Sequence, residues 1–170
     1  SVVIPDSVTS IGDYAFYNCR DLTSIVIPDS VITIGSHAFY SCNYLTGVVI
    51  PDRVTTIGSY AFAMTGITSV IIPDSVTFIN NYAFYGCDNL TDVTIGNGLT
   101  TINDGAFYSC KKLANLTLGN SVTTIGKSAF NSCSIKSISI PESVTSIGDT
   151  AFCGCDFKNI SIPDNVTSIG

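Results

Sequence analysis

Acid–base chemistry has few carriers in this 170-residue chain: one histidine (His37), one glutamate (Glu142) and no tryptophan. Charge is scarce as well. Only 12% of residues are charged, with 7 Lys+Arg against 13 Asp+Glu and a net charge of −6. So little positive charge excludes a protein that grips phosphate backbones electrostatically. No apolar run approaches the roughly 18 residues of a membrane-spanning helix. Disorder is excluded from the other direction, because 45% of the residues are hydrophobic and disorder requires low hydrophobicity with high net charge.

What is present is a repeat. Ala-Phe recurs seven times, ending at Phe16, Phe39, Phe62, Phe84, Phe107, Phe130 and Phe152, in steps of 23, 23, 22, 23, 23 and 22 residues. A second marker, from Ile11 through Ile34, Ile57, Ile79, Ile102, Ile125 and Ile147 to Ile169, keeps the same spacing. The unit reads L-x-x-I-x-I-P-x-x-V-x-x-I-G-x-x-A-F-x-x-C. A fixed period of this length predicts a solenoid, each coil burying its apolar side chains against the next. In one copy, Ile25 and Ile27 alternate as the inward residues of a short strand. Pro28 ends that strand and Asp29 turns the chain. Val31 and Ile34 point inward from a second extended segment, and Gly35 bends the backbone. Ser36 then reads as the N-cap of a short helix carrying Ala38, Phe39 and Cys42 on its inner face. Asn80 and Asn103 replace the bend glycine in two copies, which reads as a left-handed backbone position. The three one-residue deletions fall between the cysteine and the next strand, where length changes cost least.

This unit resembles the leucine-rich repeat class of the BspA-like surface proteins, over essentially the whole chain. The cytosolic leucine-rich repeat differs, with Asn at the turn and a longer helix. The resemblance implies one right-handed, curved solenoid of about seven coils over residues 1–170, with a parallel sheet on its concave face and short extended and helical segments elsewhere. It also implies a cell-surface or secreted protein of a bacterium or protist, often an adhesin, without catalytic residues or cofactor. The chain starts within a strand, stops mid-repeat and carries no capping repeat or signal peptide, so it is expected to be a segment of a longer protein.

Six cysteines, Cys19, Cys42, Cys87, Cys110, Cys133 and Cys155, share one repeat position, with Thr65 in the third copy. A column of buried free thiols is expected: side chains in register point the same way, which suits disulfide geometry poorly. A 23-residue period supplies no short paired spacing for zinc. Cys153 lies outside the column and is the one thiol expected to react. The acidic column Asp6, Asp29, Asp52, Asp74, Glu142 and Asp164 reads as turn formers rather than a calcium site. His37 reads as a lone solvated side chain. The sequons at Asn89, Asn115, Asn159 and Asn165 matter only where secreted proteins are glycosylated.

Two faces remain as binding candidates. The concave strand face carries Val3, Val26, Val49 and Ile71, then Thr94, Thr117, Ser139 and Ser161; its other outward column runs Ser24, Gly47, Ser69, Asp92, Asn115, Ser137, Asn159. The preferred site is Val26, Val49 and Ile71 with Ser24 and Ser69. The second candidate is Tyr17, Tyr40 and Tyr85 on the opposite side, where the alternative is that the rings shield the core. The function expected is non-enzymatic recognition of a protein or glycan on a host or neighbouring cell. The alternative is a passive spacer presenting another domain.

Overall fold

A computed structural model describes residues 2–170 as a parallel β-solenoid of about seven coils. The inward aliphatic residues of each coil form the first strand face: β1 (Val2–Val3), β3 (Ile25–Val26), β6 (Ser69–Ile72), β8 (Asp92–Ile95) and β10 (Asn115–Thr117). The V-x-x-I segment forms the second face: β2 (Ser10–Ile11), β4 (Thr33–Ile34), β5 (Thr56–Ile57), β7 (Phe78–Ile79), β9 (Thr101–Ile102), β11 (Thr124–Ile125), β12 (Ser146–Ile147) and β13 (Ser168–Ile169). Every pairing joins like positions of successive repeats, Ile11 with Ile34 and Val70 with Val93 among them. Register is thereby fixed by the repeat, because a one-residue slip would turn each isoleucine outward.

Proline follows the inward aliphatic residues of most coils on the first face. Where it ends the strand, its carbonyl accepts the amide of the valine three residues on, as in Val31 N to Pro28 O at 3.0 Å. Proline has no amide to donate. Gly96, standing in its place, donates to Ile72 O at 2.9 Å, and the longest strands, β6 and β8, lie beside it.

The third side corrects the expected helix, and no helix occurs among the described residues. Ala15, Tyr17 and Cys19 donate back three residues to Gly12, Tyr14 and Phe16, while Tyr14, Phe16 and Asn18 donate to Ser36, Ala38 and Tyr40 of the next coil. Each coil here is a run of tight turns whose alternate amides build a third inter-coil ladder. Tyr14 and Asn18 have φ of 58° and 60°, as the third residue of a type II turn requires. Ser36 caps nothing; its amide donates to Asp13 Oδ1 of the preceding coil at 2.6 Å.

The bend glycines are likewise not left-handed. They are small because the coils touch there: a Cβ on Gly58 would lie 2.5 Å from the Gly35 carbonyl carbon. At Asn103 the ladder is broken. Its side-chain amide, not its backbone N–H, donates to Ile79 O at 2.6 Å, and the second face divides between β7 and β9.

The core is a column of phenylalanines. Rings from Phe16 to Phe152 stack at centroid separations of 5.0–5.7 Å, surrounded by the inward Ile, Val, Leu, Ala and Cys side chains. No described helix is long and apolar enough to cross a membrane.

Candidate functional site

The first strand face exposes an apolar strip. Val3, Val26, Val49 and Ile71 are 78, 63, 78 and 68% exposed, because odd and even residues of a strand face opposite sides. Ser24 and Ser69 are exposed beside them, and Thr94, Thr117, Ser139 and Ser161 continue the column as polar residues. Asp92 is the one acidic side chain of this face. Thr91 Oγ1 and Asn115 Nδ2 donate to its carboxylate at 2.5 and 2.7 Å, and those hydrogen bonds hold it below the usual aspartate range.

The backbone ladder is interrupted within the strip. Residues 47–50 form no strand and make no backbone hydrogen bond, while coils on either side pair normally. A cleft of about 370 Å³ opens between this segment and β6, lined by Val48, Val49, Ile50, Ser69, Val70 and Ile71. Gly47 lies in this segment, but the first face also lacks a strand at residues 137–140 and 159–162, where Ser137 and Asn159 stand at that position; the expectation of uniform strands does not hold there.

On the turn side, Tyr14, Tyr60 and Tyr82 form one column and Tyr17, Tyr40, Tyr85 and Tyr108 another. Tyr17 stacks on Tyr40 at 5.2 Å and Tyr85 on Tyr108 at 5.7 Å. Tyr17 is exposed; Tyr40 and Tyr85 are half-buried, so much of their ring surface is engaged with neighbours. Burial in the stack, then the phenols of Tyr82, Tyr85 and Tyr40, raise the Tyr60 pKa. His37 corrects its sequence reading: it lies between Tyr14 and Tyr60 at 4.8 and 5.1 Å, with Nδ1 buried and unpartnered.

All seven cysteines are free. Each column thiol after the first donates to the phenylalanine carbonyl of the preceding coil, as in Cys42 Sγ to Phe16 O at 3.1 Å and Cys110 Sγ to Phe84 O at 3.2 Å. Thr65 Oγ1 donates instead to Phe62 O of its own coil at 2.8 Å. Burial pushes the Cys42 thiol up to about 11 and Cys155 to about 12. Cys153 is exposed as expected, and so is Cys19, which departs from the expected burial of the whole column. The acidic residues after the first strand lie at the expected turns, where Asp74 Oδ1 accepts the Asn97 amide at 2.6 Å. Among the described residues no three His, Cys, Asp or Glu side chains converge as a metal site would require.

A family model for the BspA type leucine rich repeat region matches residues 1–113 and 55–170, with six copies. Among solved structures, a leucine rich cell surface protein of Faecalibacterium prausnitzii is 39% identical, with a TM-score of 0.83, over 98% of this chain and 46% of its own. A leucine-rich repeat protein of Bacteroides ovatus is 32% identical, with a TM-score of 0.71, over 98% of this chain and 50% of its own. A leucine rich repeat protein of T. pallidum is 26% identical, with a TM-score of 0.63, over 77% of this chain and 75% of its own. The chain thus spans about half the length of the first two. No curated protein matches it significantly.

Proposed function

This chain belongs to the BspA-type leucine-rich repeat family, and from that premise we propose that it is a non-enzymatic recognition module of a cell-surface or secreted protein. Its partner is a protein on a host or neighbouring cell, held on the first strand face. The observation that carries this reading is the exposed strip of Val3, Val26, Val49 and Ile71. Large apolar side chains aligned in one row, with small hydroxyl residues beside them, give a protein surface something to desolvate against. The second strand face and the turn side are held by inter-coil ladders, and these fix the coils that carry the strip. The cell-surface name of the F. prausnitzii protein supports the location.

The test compares two triple variants for adhesion to a panel of immobilised extracellular-matrix proteins. Burying each apolar side chain is worth roughly 1.5–3 kcal/mol. Val26→Asp, Val49→Asp and Ile71→Asp together should therefore weaken binding at least about 100-fold, the equivalent of ~2.7 kcal/mol, with an unchanged circular dichroism spectrum. Normal binding by that variant, with loss in Tyr17→Ser, Tyr40→Ser and Tyr85→Ser, would move the site to the turn side. Indifference to both variants would make the segment a spacer.

A further inference from the structure

The coil containing Phe62 is one residue shorter than its neighbours, as the 22-residue step to Phe84 shows. The coils on both sides are full length, whereas the two short coils that follow Phe130 and Phe152 are adjacent to each other. One short coil between long ones leaves a dent; two in succession leave only a step. The dent lies on the connection after the turn segment and encloses about 380 Å³. It is lined by Met64, Thr65, Gly66, Tyr85, Asp88, Asn89 and Lys111, among others. Glycine is required at 66, where a Cβ would collide with the Asn43 carbonyl oxygen.

We propose that this dent is a subsite for one pyranose ring of a neutral glycan. It is separate from the strand-face strip and adds a second, chemically different contact to the recognition reading. Tyr85 stacks on Tyr108 with one face and meets Tyr60 and Tyr82 only at interplanar angles of 75° and 82°. No ring stacks on its other face, because Ala63 stands where the neighbouring coils carry tyrosine. That face suits the C–H side of a sugar ring, whose weakly positive hydrogens meet the negative π cloud. Asp88 and Lys111 form the one ion pair among the described residues, at 3.1 Å. Their charges offset each other, and both still offer hydrogen bonds. The Asn89 carboxamide oxygen accepts from Lys112 Nζ at 2.9 Å, and its NH₂ is left for a ligand hydroxyl. An apolar platform with convergent amide, carboxylate and ammonium groups is what a neutral polyol needs to satisfy both its faces and its hydroxyls.

Gly86 supplies the test. Its φ is 64°, but Asn18, Ser41 and Met64 adopt the same left-handed backbone at equivalent positions, and a Cβ there would make only an ordinary 3.6 Å contact with Met64 Cγ. Gly86→Asn should fold normally while placing a side chain in the dent. Saturation-transfer NMR on the full 170-residue chain with glucose, galactose, mannose, N-acetylglucosamine and N-acetylgalactosamine should show transfer to at least one of them. Affinity for that sugar should fall about tenfold or more in Gly86→Asn and also in Asn89→Ala, an exposed change that carries the test if Gly86→Asn proves unstable. Absence of transfer to every sugar, or equal binding by a folded dent-filling variant, would overturn the assignment. The strand-face triple variant should keep the sugar signal, so the two sites fail separately.

Discussion

Thiol and hydroxyl alternate at one coil position because a carbonyl is within reach of either. Cys110 donates its S–H to Phe84 O of the preceding coil, and Thr65 donates its O–H to Phe62 O of its own coil. Cys110→Ser therefore inherits a partner, and the expected loss is about 1 kcal/mol rather than the 2–3 kcal/mol of an orphaned buried hydroxyl; urea denaturation midpoints measure it. The same burial governs reactivity. A thiol reagent at pH 8 should modify Cys19 and Cys153 in the folded protein and all seven cysteines only after unfolding. Rapid labelling of Cys110 in the native state would contradict the column. Burial raises the folded thiol pKa above its unfolded value of 9.0, so stability is complete below pH 9 and declines as pH rises toward about 11 for Cys42 and about 12 for Cys155. Cys42→Ala should flatten the alkaline fall of the melting temperature. The cysteine column was legible from spacing alone. The exposure of Cys19 was not, since Cys19 is the same residue type at the same repeat position as the buried thiols.

Elements were legible where periodicity decides them and hidden where the backbone does. Alternating aliphatic residues located the first strand face and the V-x-x-I segment the second, and the register follows from the repeat. Residues 36–42 suggested a helix because Ala38, Phe39 and Cys42 share a helical spacing. That spacing equally fits successive turns with left-handed residues at His37 and Ser41, whose φ values are 55° and 59°. Neither residue announces such a conformation, as glycine would; the inter-coil amide ladder holds it. The bend glycines were legible as important but for another reason, namely coil-to-coil contact. Gly58→Ala should destabilise by roughly 2–4 kcal/mol, because backbone rather than a movable side chain obstructs the new methyl. A melting temperature unchanged by this substitution would show that the coils can part there.

Across the whole molecule, the strip residues Val26, Val49 and Ile71 follow from strand alternation, whereas the ladder gap at residues 47–50 depends on how neighbouring coils settle and has no distinct mark in the sequence, since residues 137–140 lose their strand without a glycine. The dent at Gly66 follows from coil length, which the sequence shows, together with the equal length of the flanking coils, which gives the shortening its shape. First-face strands are likewise absent at residues 137–140 and 159–162, so what sets the strip apart is its row of exposed apolar side chains. The gap also makes the central claim measurable. Amides of residues 47–50 have no hydrogen bond in the free protein and should exchange with deuterium almost at once. When an adhering matrix protein is bound, exchange should slow at residues 47–50 and at the adjoining strand β6, while the turn segments at residues 12–19 and 35–42 stay unchanged. Slowing confined to those turn segments, with residues 47–50 still exchanging freely, would contradict recognition through the strand face.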